Sequence, residues 1–138
     1  MEAVPPPQPL IDIDSHGFWN ALADGRFAMQ RCSTCRLFQH PPAEHCNACG
    51  SAVAYEELSG GGEIFSFIVV RHPTVPGYLD ELPYVVALVE LDDQPGLRIP
   101  TRLAGAEPTD VSIGQRVQMT LVELAGGNHT VAVFELAE

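Results

Sequence analysis

Lysine is absent from this 138-residue sequence, and arginine supplies all seven basic side chains. Without lysine the chain cannot form a Schiff base with a carbonyl substrate, and it cannot build a P-loop, whose lysine binds phosphate. Arginine instead offers bidentate contacts to phosphate or carboxylate groups. Such contacts are one explanation of the bias, and a compositional preference of the genome is the other.

Positive charge is also scarce. The 18 acidic residues outnumber the seven arginines and give a formal net charge of −11. A field of that sign repels polyanions, so nucleic acid is not expected as a partner. Three arginines nevertheless fall within residues 26–36, where no acidic residue occurs. A local anion-binding patch therefore stays open as an alternative.

Long apolar stretches and targeting features are missing. No stretch approaches the roughly 18 consecutive apolar residues that a membrane span requires, so no membrane partner is expected. The first residues, MEAVPPPQPLIDID, lack the basic and apolar regions of a signal peptide. We therefore expect a soluble, cytoplasmic chain. In that reducing compartment, paired cysteines bind metal more often than they form disulfides.

Cysteine occurs only within a short segment, as Cys32, Cys35, Cys46 and Cys49. The spacing C-x2-C-x10-C-x2-C is typical of zinc ribbons, because each C-x-x-C turn directs two sulfurs toward one ion. Disulfides or a redox thiol pair are the alternatives. Four thiolates complete a tetrahedral shell and leave no position for water. The sequence therefore predicts a structural Zn²⁺ site rather than a catalytic one.

Histidines and nucleophiles give no convincing catalytic constellation. His40 and His45 lie between the cysteine pairs, and we interpret them as exposed loop residues because four cysteines already suffice. No serine stands in a G-x-S-x-G context. Adjacent acids such as Asp92 and Asp93 fall in turns and are interpreted as solvated charge. His72, in the loop over residues 71–83, is the one histidine with a possible functional role, and an exposed loop residue is the alternative.

A short helix is expected near the start of the chain, after an extended, mobile, proline-rich segment over residues 4–9. Ser15 is a candidate N-cap and Gly25 a candidate C-terminal stop. Together these features predict a flexible arm and docking helix over residues 1–26.

One face of this helix is rich in apolar side chains, namely Phe18, Trp19 and Leu22. Two interpretations stay open. The face could pack on the rest of the same chain, or it could bind a second subunit, because aromatic residues concentrate at interface anchors. We predict that Phe18, Trp19 and Leu22 bind a partner subunit.

The remainder of the chain divides into two β-rich modules. Residues 27–58 contain the cysteines between strand-like flanks and are predicted to form the zinc ribbon. Residues 59–138 contain five β-rich runs separated by turn signals, which favours a five-stranded OB-fold barrel over a small sandwich. The runs over residues 64–70 and 84–91 lack clean alternation, so parts of both are expected to be buried on two faces. The fold class is therefore mainly β.

Several segments in this order resemble the zinc-ribbon/OB-fold acyl-CoA-associated proteins. They are FWNALADGRFAMQRCSTC, CNACG, SGGGEIFSFIVV, PYVVALVELDD, IGQRV and VAVFEL. The resemblance implies an N-terminal helix, a rubredoxin-like zinc ribbon with the four cysteines as ligands, and an OB-fold barrel. It also implies a small non-catalytic partner of thiolase-like, sterol-carrier-type aldolase or thiolase, or enoyl-CoA hydratase enzymes in lipid, steroid and aromatic degradation. Such a partner supports acyl-CoA binding and the assembly of a complex, expected to be a heterotetramer.

Two arginines beside the cysteine turns are candidates for coenzyme A contact. The side chains of Arg31 and Arg36 flank the predicted zinc site, where a guanidinium could reach a bound phosphate. Two other functions stay open at this stage. A free-standing acyl-CoA carrier or sensor would bind its ligand without an enzyme. A nucleic-acid module is disfavoured by the net charge and by the lack of a basic face.

Overall fold

The chain folds as a helix, a small three-stranded sheet and a closed five-stranded barrel. This architecture comes from a computed structural model, which describes residues 5–73 and 75–137. Residues 1–4, which belong to the predicted arm, and Thr74 lie outside the described residues. The elements are α1 (His16–Ala23), β1 (Ala28–Cys32), β2 (Phe38–Gln39), β3 (Val53–Glu57), β4 (Gly61–Val70), β5 (Tyr84–Leu91), β6 (Arg98–Leu103), β7 (Arg116–Glu123) and β8 (Thr130–Leu136).

Helix α1 begins at a turn that Asp12, rather than Ser15, caps. The Asp12 carboxylate accepts the Ser15 N–H at 2.8 Å, and the Asp12 N–H donates to the Ser15 hydroxyl at 3.1 Å. Ser15 occupies the position before the helix, but its side chain makes no capping hydrogen bond there. Ser15 therefore holds the predicted N-cap position. Its hydroxyl bonds reciprocally with Asp12, in the manner of a capping box, instead of capping the helix.

The C-terminus of α1 matches its prediction. Gly25 adopts a positive φ of 81°, which glycine tolerates because it has no Cβ. The Arg26 N–H donates to the Ala21 carbonyl and the Gly25 N–H to the Leu22 carbonyl, which is the bonding pattern of a Schellman motif. The chain then turns directly into β1.

The small sheet has β1 at its centre, with β2 and β3 antiparallel on either side. Gln30 on β1 is buried, and its side chain bonds the backbone of Ala43 in both directions, at 2.8 and 2.9 Å. The Gln39 amide donates to the Gln30 side-chain oxygen at 2.9 Å. These bonds hold the loop that leads to the second cysteine pair.

The barrel closes in the strand order β4-β5-β6-β8-β7. Neighbours pair antiparallel except β6 and β8, which meet in parallel at Leu103 and Phe134. This closure confirms the OB-fold barrel and decides against the sandwich. Within the described residues, no helix is both long and apolar enough to cross a membrane.

One apolar core joins all three parts. The Phe27 and Phe134 rings meet edge to face at 6.0 Å, connecting the start of the ribbon with the barrel. Phe18 and Leu22 of α1 lie in the same core, 7% and 1% exposed. These two side chains are therefore unavailable to a partner in this conformation. Trp19, which is half-buried, is the accessible member of the predicted partner-binding set.

The outer face of β4 and β5 departs from the expected burial. Strand β5 alternates between buried and half-buried positions, so only one of its faces lies in the core. The outward side chains are nonetheless apolar; they include Val86 and Leu88, and Ile68 on β4 is 63% exposed. The expectation of burial on both faces is thus wrong for this chain, because the barrel has a single interior.

The arm contacts the barrel. The Gln8 amide donates to the Ala125 carbonyl at 2.9 Å, and Pro6 is buried beside Gly77. The flexibility assigned to the arm stays a prediction, as do the module boundaries at residues 26 and 58.

If α1 belongs to the shared core, replacing Leu22 by Ala should lower the free energy of unfolding by about 2–5 kcal/mol, because the lost side chain leaves a cavity. Chemical denaturation followed by circular dichroism measures this change. Leu79→Ala is the matched control, because Leu79 is 68% exposed and its truncation should cost little. Equal, small effects of both variants would show that α1 does not contribute to the core.

Candidate metal centre

The four cysteines converge on one point at the end of the ribbon. Cys32 ends β1, Cys35 follows in the next turn, and Cys46 and Cys49 lie in the loop before β3. Their sulfur atoms all lie within 4.8 Å of one another. Cys32 and Cys46 are buried, whereas Cys35 and Cys49 are exposed, so the cluster lies at the surface with one side covered.

Backbone amides support the sulfurs in both turns. The Thr34 and Cys35 N–H groups each donate to the Cys32 sulfur at 3.3 Å, and the Ala48 N–H donates to the Cys46 sulfur at 3.4 Å. Gly50 closes the second turn with a positive φ of 78°. Such amide–sulfur bonds favour the thiolate, which is the form that binds a metal ion.

The thiols do not ionise independently. Burial raises the pKa of the Cys32 thiol, but the amide bonds from Cys35 and Thr34 outweigh it and lower that pKa to about 6. The Leu37 N–H lowers the pKa of the Cys35 thiol, but partial burial and the neighbouring thiols raise it to about 11 overall. Several thiolates at this separation therefore require a cation that shares their charge.

The donor set fits zinc. A Zn–S bond of about 2.3 Å implies sulfur–sulfur separations of roughly 3.8 Å in a tetrahedron. The Cys32–Cys49 and Cys35–Cys46 sulfur pairs lie 3.5 and 3.7 Å apart, well beyond the length of a disulfide bond. All four cysteines are free thiols. The cluster is thus a site for structural Zn²⁺, with four sulfur ligands and no open position.

The two histidines between the cysteine pairs stand apart from this cluster. Among the described residues, the close donor group consists of the four cysteines alone. His45 is exposed, as predicted. His40 is only half-exposed, and its ring packs against Phe18 at 5.2 Å between centroids, so the prediction of an exposed loop residue is wrong for His40.

The predicted coenzyme A contacts, Arg31 and Arg36, share one carboxylate. Glu56 accepts from the Arg31 guanidinium at 2.6 Å and from Arg36 at 3.2 Å. The hydrogen bond from Arg31, aided by the charge of both arginines, holds the pKa of the Glu56 carboxyl below its usual value. Arg31 also lies 4.5 Å from the Phe38 ring centroid. The two guanidiniums are adjacent, as expected, but an internal anion already pairs with both.

Three polar contacts around the turn after β5 were missed by sequence reasoning, and one of them joins the ribbon to the barrel. Gln94, in the turn after β5, accepts the Phe38 N–H at 2.8 Å and donates to the Phe38 carbonyl at 3.1 Å. The Asp93 carboxylate accepts the Ser59 N–H and hydroxyl, and Asp92 pairs with Arg116. The acids interpreted as solvated charge therefore hold turns together. Their partners are distant in sequence, so no local pattern could have found them.

His72, the remaining candidate, is exposed in the loop after β4.

Comparison with known proteins gives the family. A model of the ChsH2 rubredoxin-like zinc ribbon domain matches residues 19–56, and a model of the ChsH2 C-terminal OB-fold domain matches residues 55–127. This chain belongs to the ChsH2 family. The resemblance to the zinc-ribbon/OB-fold acyl-CoA-associated proteins is thereby confirmed, together with the fold that it implies.

Two curated relatives are longer proteins. This chain is 39% identical over 132 residues to a probable enoyl-CoA hydratase alpha subunit of Thermomonospora curvata, and the match covers 95% of this chain and 40% of that protein. It is 35% identical over 117 residues to the 3-oxo-4,17-pregnadiene-20-carboxyl-CoA hydratase alpha subunit of Mycobacterium tuberculosis, covering 84% of this chain and 36% of the relative. The chain thus spans about two-fifths of the length of these relatives.

Two solved structures have the same fold as this chain. A chain of the Ltp2-ChsH2(DUF35) aldolase superposes with a TM-score of 0.86 at 37% identity, covering 95% of this chain and 100% of the other. A DUF35-family protein of unknown function from Sulfolobus solfataricus superposes with a TM-score of 0.60 at 15% identity, which supports the fold alone.

The zinc assignment predicts about one zinc ion per purified chain, measured by inductively coupled plasma mass spectrometry. Cys46→Ser should lose most of this zinc and unfold the ribbon, because metal binding contributes folding free energy directly. His45→Ala is the control and should retain the metal. Stoichiometric zinc in Cys46→Ser, or loss of zinc in His45→Ala, would contradict the assignment.

Proposed function

We propose that this chain is a non-catalytic partner of an acyl-CoA-acting aldolase, thiolase or hydratase, and that it supports acyl-CoA binding and assembly of the complex. The observation that carries the proposal is the match to the ChsH2 chain of a two-protein aldolase over the full length of that chain. The hydratase alpha subunits among the relatives support the same enzyme setting. The expected assembly is a cytoplasmic heterotetramer of two small and two large subunits.

The chemistry of the metal centre supports a non-catalytic role. The four sulfurs fill the tetrahedral shell of a zinc ion, so substrate cannot reach the ion. The described residues also lack an assembled acid–base or nucleophilic group. The reaction therefore belongs to the partner, and this chain supplies shape and surface.

The outer face of the barrel is the surface that we assign to the enzyme. Ile68, Val86 and Leu88 form an apolar strip there, with Pro100 of β6 beside it. Exposed apolar patches with polar rims often mark sites of protein–protein interaction. The enzyme subunit is the occupant that the aldolase match supports.

The adjacent edge of β4 adds hydrogen-bonding capacity to this face. Strand β4 pairs with β7 only over residues 61–63, and from Phe65 onward the described chain provides no strand on that side. Free edges of this kind accept a strand from another chain. Arg98 packs over the Phe65 ring at 3.7 Å and gives the rim a polar border. Trp19 on α1, which is half-buried, is a second proposed contact with the enzyme subunit.

The arginine pair is the proposed contact for a coenzyme A phosphate. Glu56 currently pairs with both guanidiniums, so a phosphate must displace this carboxylate or bind beside it. The two arginines and Glu56 together carry a formal charge of +1. Glu56 therefore acts as an internal competitor for Arg31 and Arg36.

The partner proposal predicts that Ile68→Asp abolishes co-purification with a co-expressed acyl-CoA aldolase, thiolase or hydratase subunit. A buried aspartate would lack a counter-charge in the apolar interface and cost several kcal/mol. Affinity capture of the tagged small chain measures the effect. Ile113→Asp is the control, because Ile113 is 69% exposed and lies outside the strip. Equal capture by both variants would place the interface elsewhere, and failure of the unmodified chain to capture any such enzyme would reject the proposed function.

The competitor role of Glu56 predicts opposite effects on the KM of the complex for acyl-CoA. Glu56→Gln frees both guanidiniums and should lower KM severalfold, whereas Arg31→Ala combined with Arg36→Ala should raise it by about tenfold, the effect of losing one charge-assisted bond. Steady-state kinetics at low salt measures both changes. Unchanged KM in the double variant would remove these arginines from the coenzyme A site.

A further inference from the structure

A cavity of about 370 Å³ lies where the helix, the ribbon and the barrel meet. Most of its wall is apolar or aromatic and comes from α1, β6 and β8: Phe18, Trp19, Leu22, Ile99, Val131 and Ala132. This size and lining are typical of small-molecule sites, which are mainly apolar with a few polar groups that orient the ligand. The metal centre does not contribute to it, whereas Pro100, which borders the outer apolar strip, is part of its lining.

His40 supplies such a polar group. Its ring lines the cavity and is held against Phe18 at 5.2 Å. Within residues 5–73 and 75–137, the imidazole nitrogens make no hydrogen bond to the protein. Burial holds the pKa of His40 below its ordinary value, so the imidazole is neutral at neutral pH and offers one donor and one acceptor.

The electrostatics of the lining restrict the ligand class. Asp12 stands at the wall, and hydrogen bonding from Ser15 holds the pKa of its carboxyl below the usual value, so it is ionised. The described lining contains no arginine. An anionic headgroup, such as a free carboxylate or a phosphate, would be repelled here. An uncharged apolar group would not.

We propose that this cavity binds the apolar acyl group of a neutral thioester, with the His40 imidazole donating a hydrogen bond to its carbonyl oxygen. The choice of a thioester over another neutral ester rests on the proposed function, whereas the preference for an uncharged apolar group comes from the cavity itself. The phosphates of a carrier such as coenzyme A lie outside the cavity.

The test titrates the zinc-loaded full-length chain, without a partner enzyme, with S-octanoyl-N-acetylcysteamine, a neutral thioester. Trp19 is the single tryptophan of the sequence and lines the cavity, so its fluorescence reports occupancy directly. Isothermal titration calorimetry gives the stoichiometry. Octanoic acid and coenzyme A serve as anionic comparison ligands. We expect one thioester per chain, octanoic acid weaker by about tenfold or more, and no fluorescence change with coenzyme A.

Three variants locate the site. Ala132→Phe fills the cavity and should weaken thioester binding by about tenfold or more, and His40→Phe keeps the ring but removes the donor and should weaken it severalfold. Thr109→Phe adds the same ring on an exposed turn and should leave binding unchanged. Thermal melting verifies that each variant is folded.

The proposal is overturned if the thioester does not bind, if octanoic acid binds equally well, or if Ala132→Phe binds like the unmodified chain. Because no enzyme is present, this result is separate from the capture experiment. A chain that captures its enzyme but does not bind the thioester retains the proposed function and loses the cavity site. A chain that binds the thioester but captures no enzyme supports the free-standing acyl-CoA carrier instead.

Discussion

The shared apolar core is the constraint on which the rest of this structure depends. The edge-to-face contact between Phe27, which precedes the first ribbon strand, and Phe134 connects the ribbon with the last barrel strand, and Leu22 brings the helix into the same core. The polar Gln94 bonds then fix the orientation of the ribbon at its far side. Because these contacts cross module boundaries, the ribbon, helix and barrel present their outer surfaces in one defined arrangement.

Zinc stabilises the fold of the ribbon and takes no part in a reaction in this proposal. The cysteine cluster closes two backbone turns that have little apolar content of their own, so metal binding replaces the core that such a small sheet cannot build. The closed shell keeps the ion away from substrate. We assign binding to three other features: the apolar strip of β4 and β5, the paired arginines beside Glu56, and the cavity at the junction. These three features are confined to small areas of a chain whose formal net charge is −11.

Local sequence patterns were enough to predict the helix, the strands and the cysteine cluster. They did not predict contacts between residues that lie far apart in the sequence. The cysteine spacing predicted the cluster, Gly25 the end of the helix, and the β-rich runs the five barrel strands. The reciprocal bonding of Asp12 and Ser15 was missed because either residue suits an N-cap. Glu56 could not be assigned to the arginines before the register of β1 and β3 was known. The apolar runs in β4 and β5 predicted burial on two faces, but only one face is buried within this chain. The other is the face that we assign to a partner.

We propose that the outer face of β4 and β5 binds the enzyme subunit. Hydrogen–deuterium exchange of the isolated chain and of the purified complex tests this assignment directly, because amides at a protected sheet edge exchange more slowly. Complex formation should slow exchange over residues 65–70 and 84–88, while residues 105–115 exchange as before. Protection confined to the ribbon or to the helix, with the β4 edge unchanged, would contradict it.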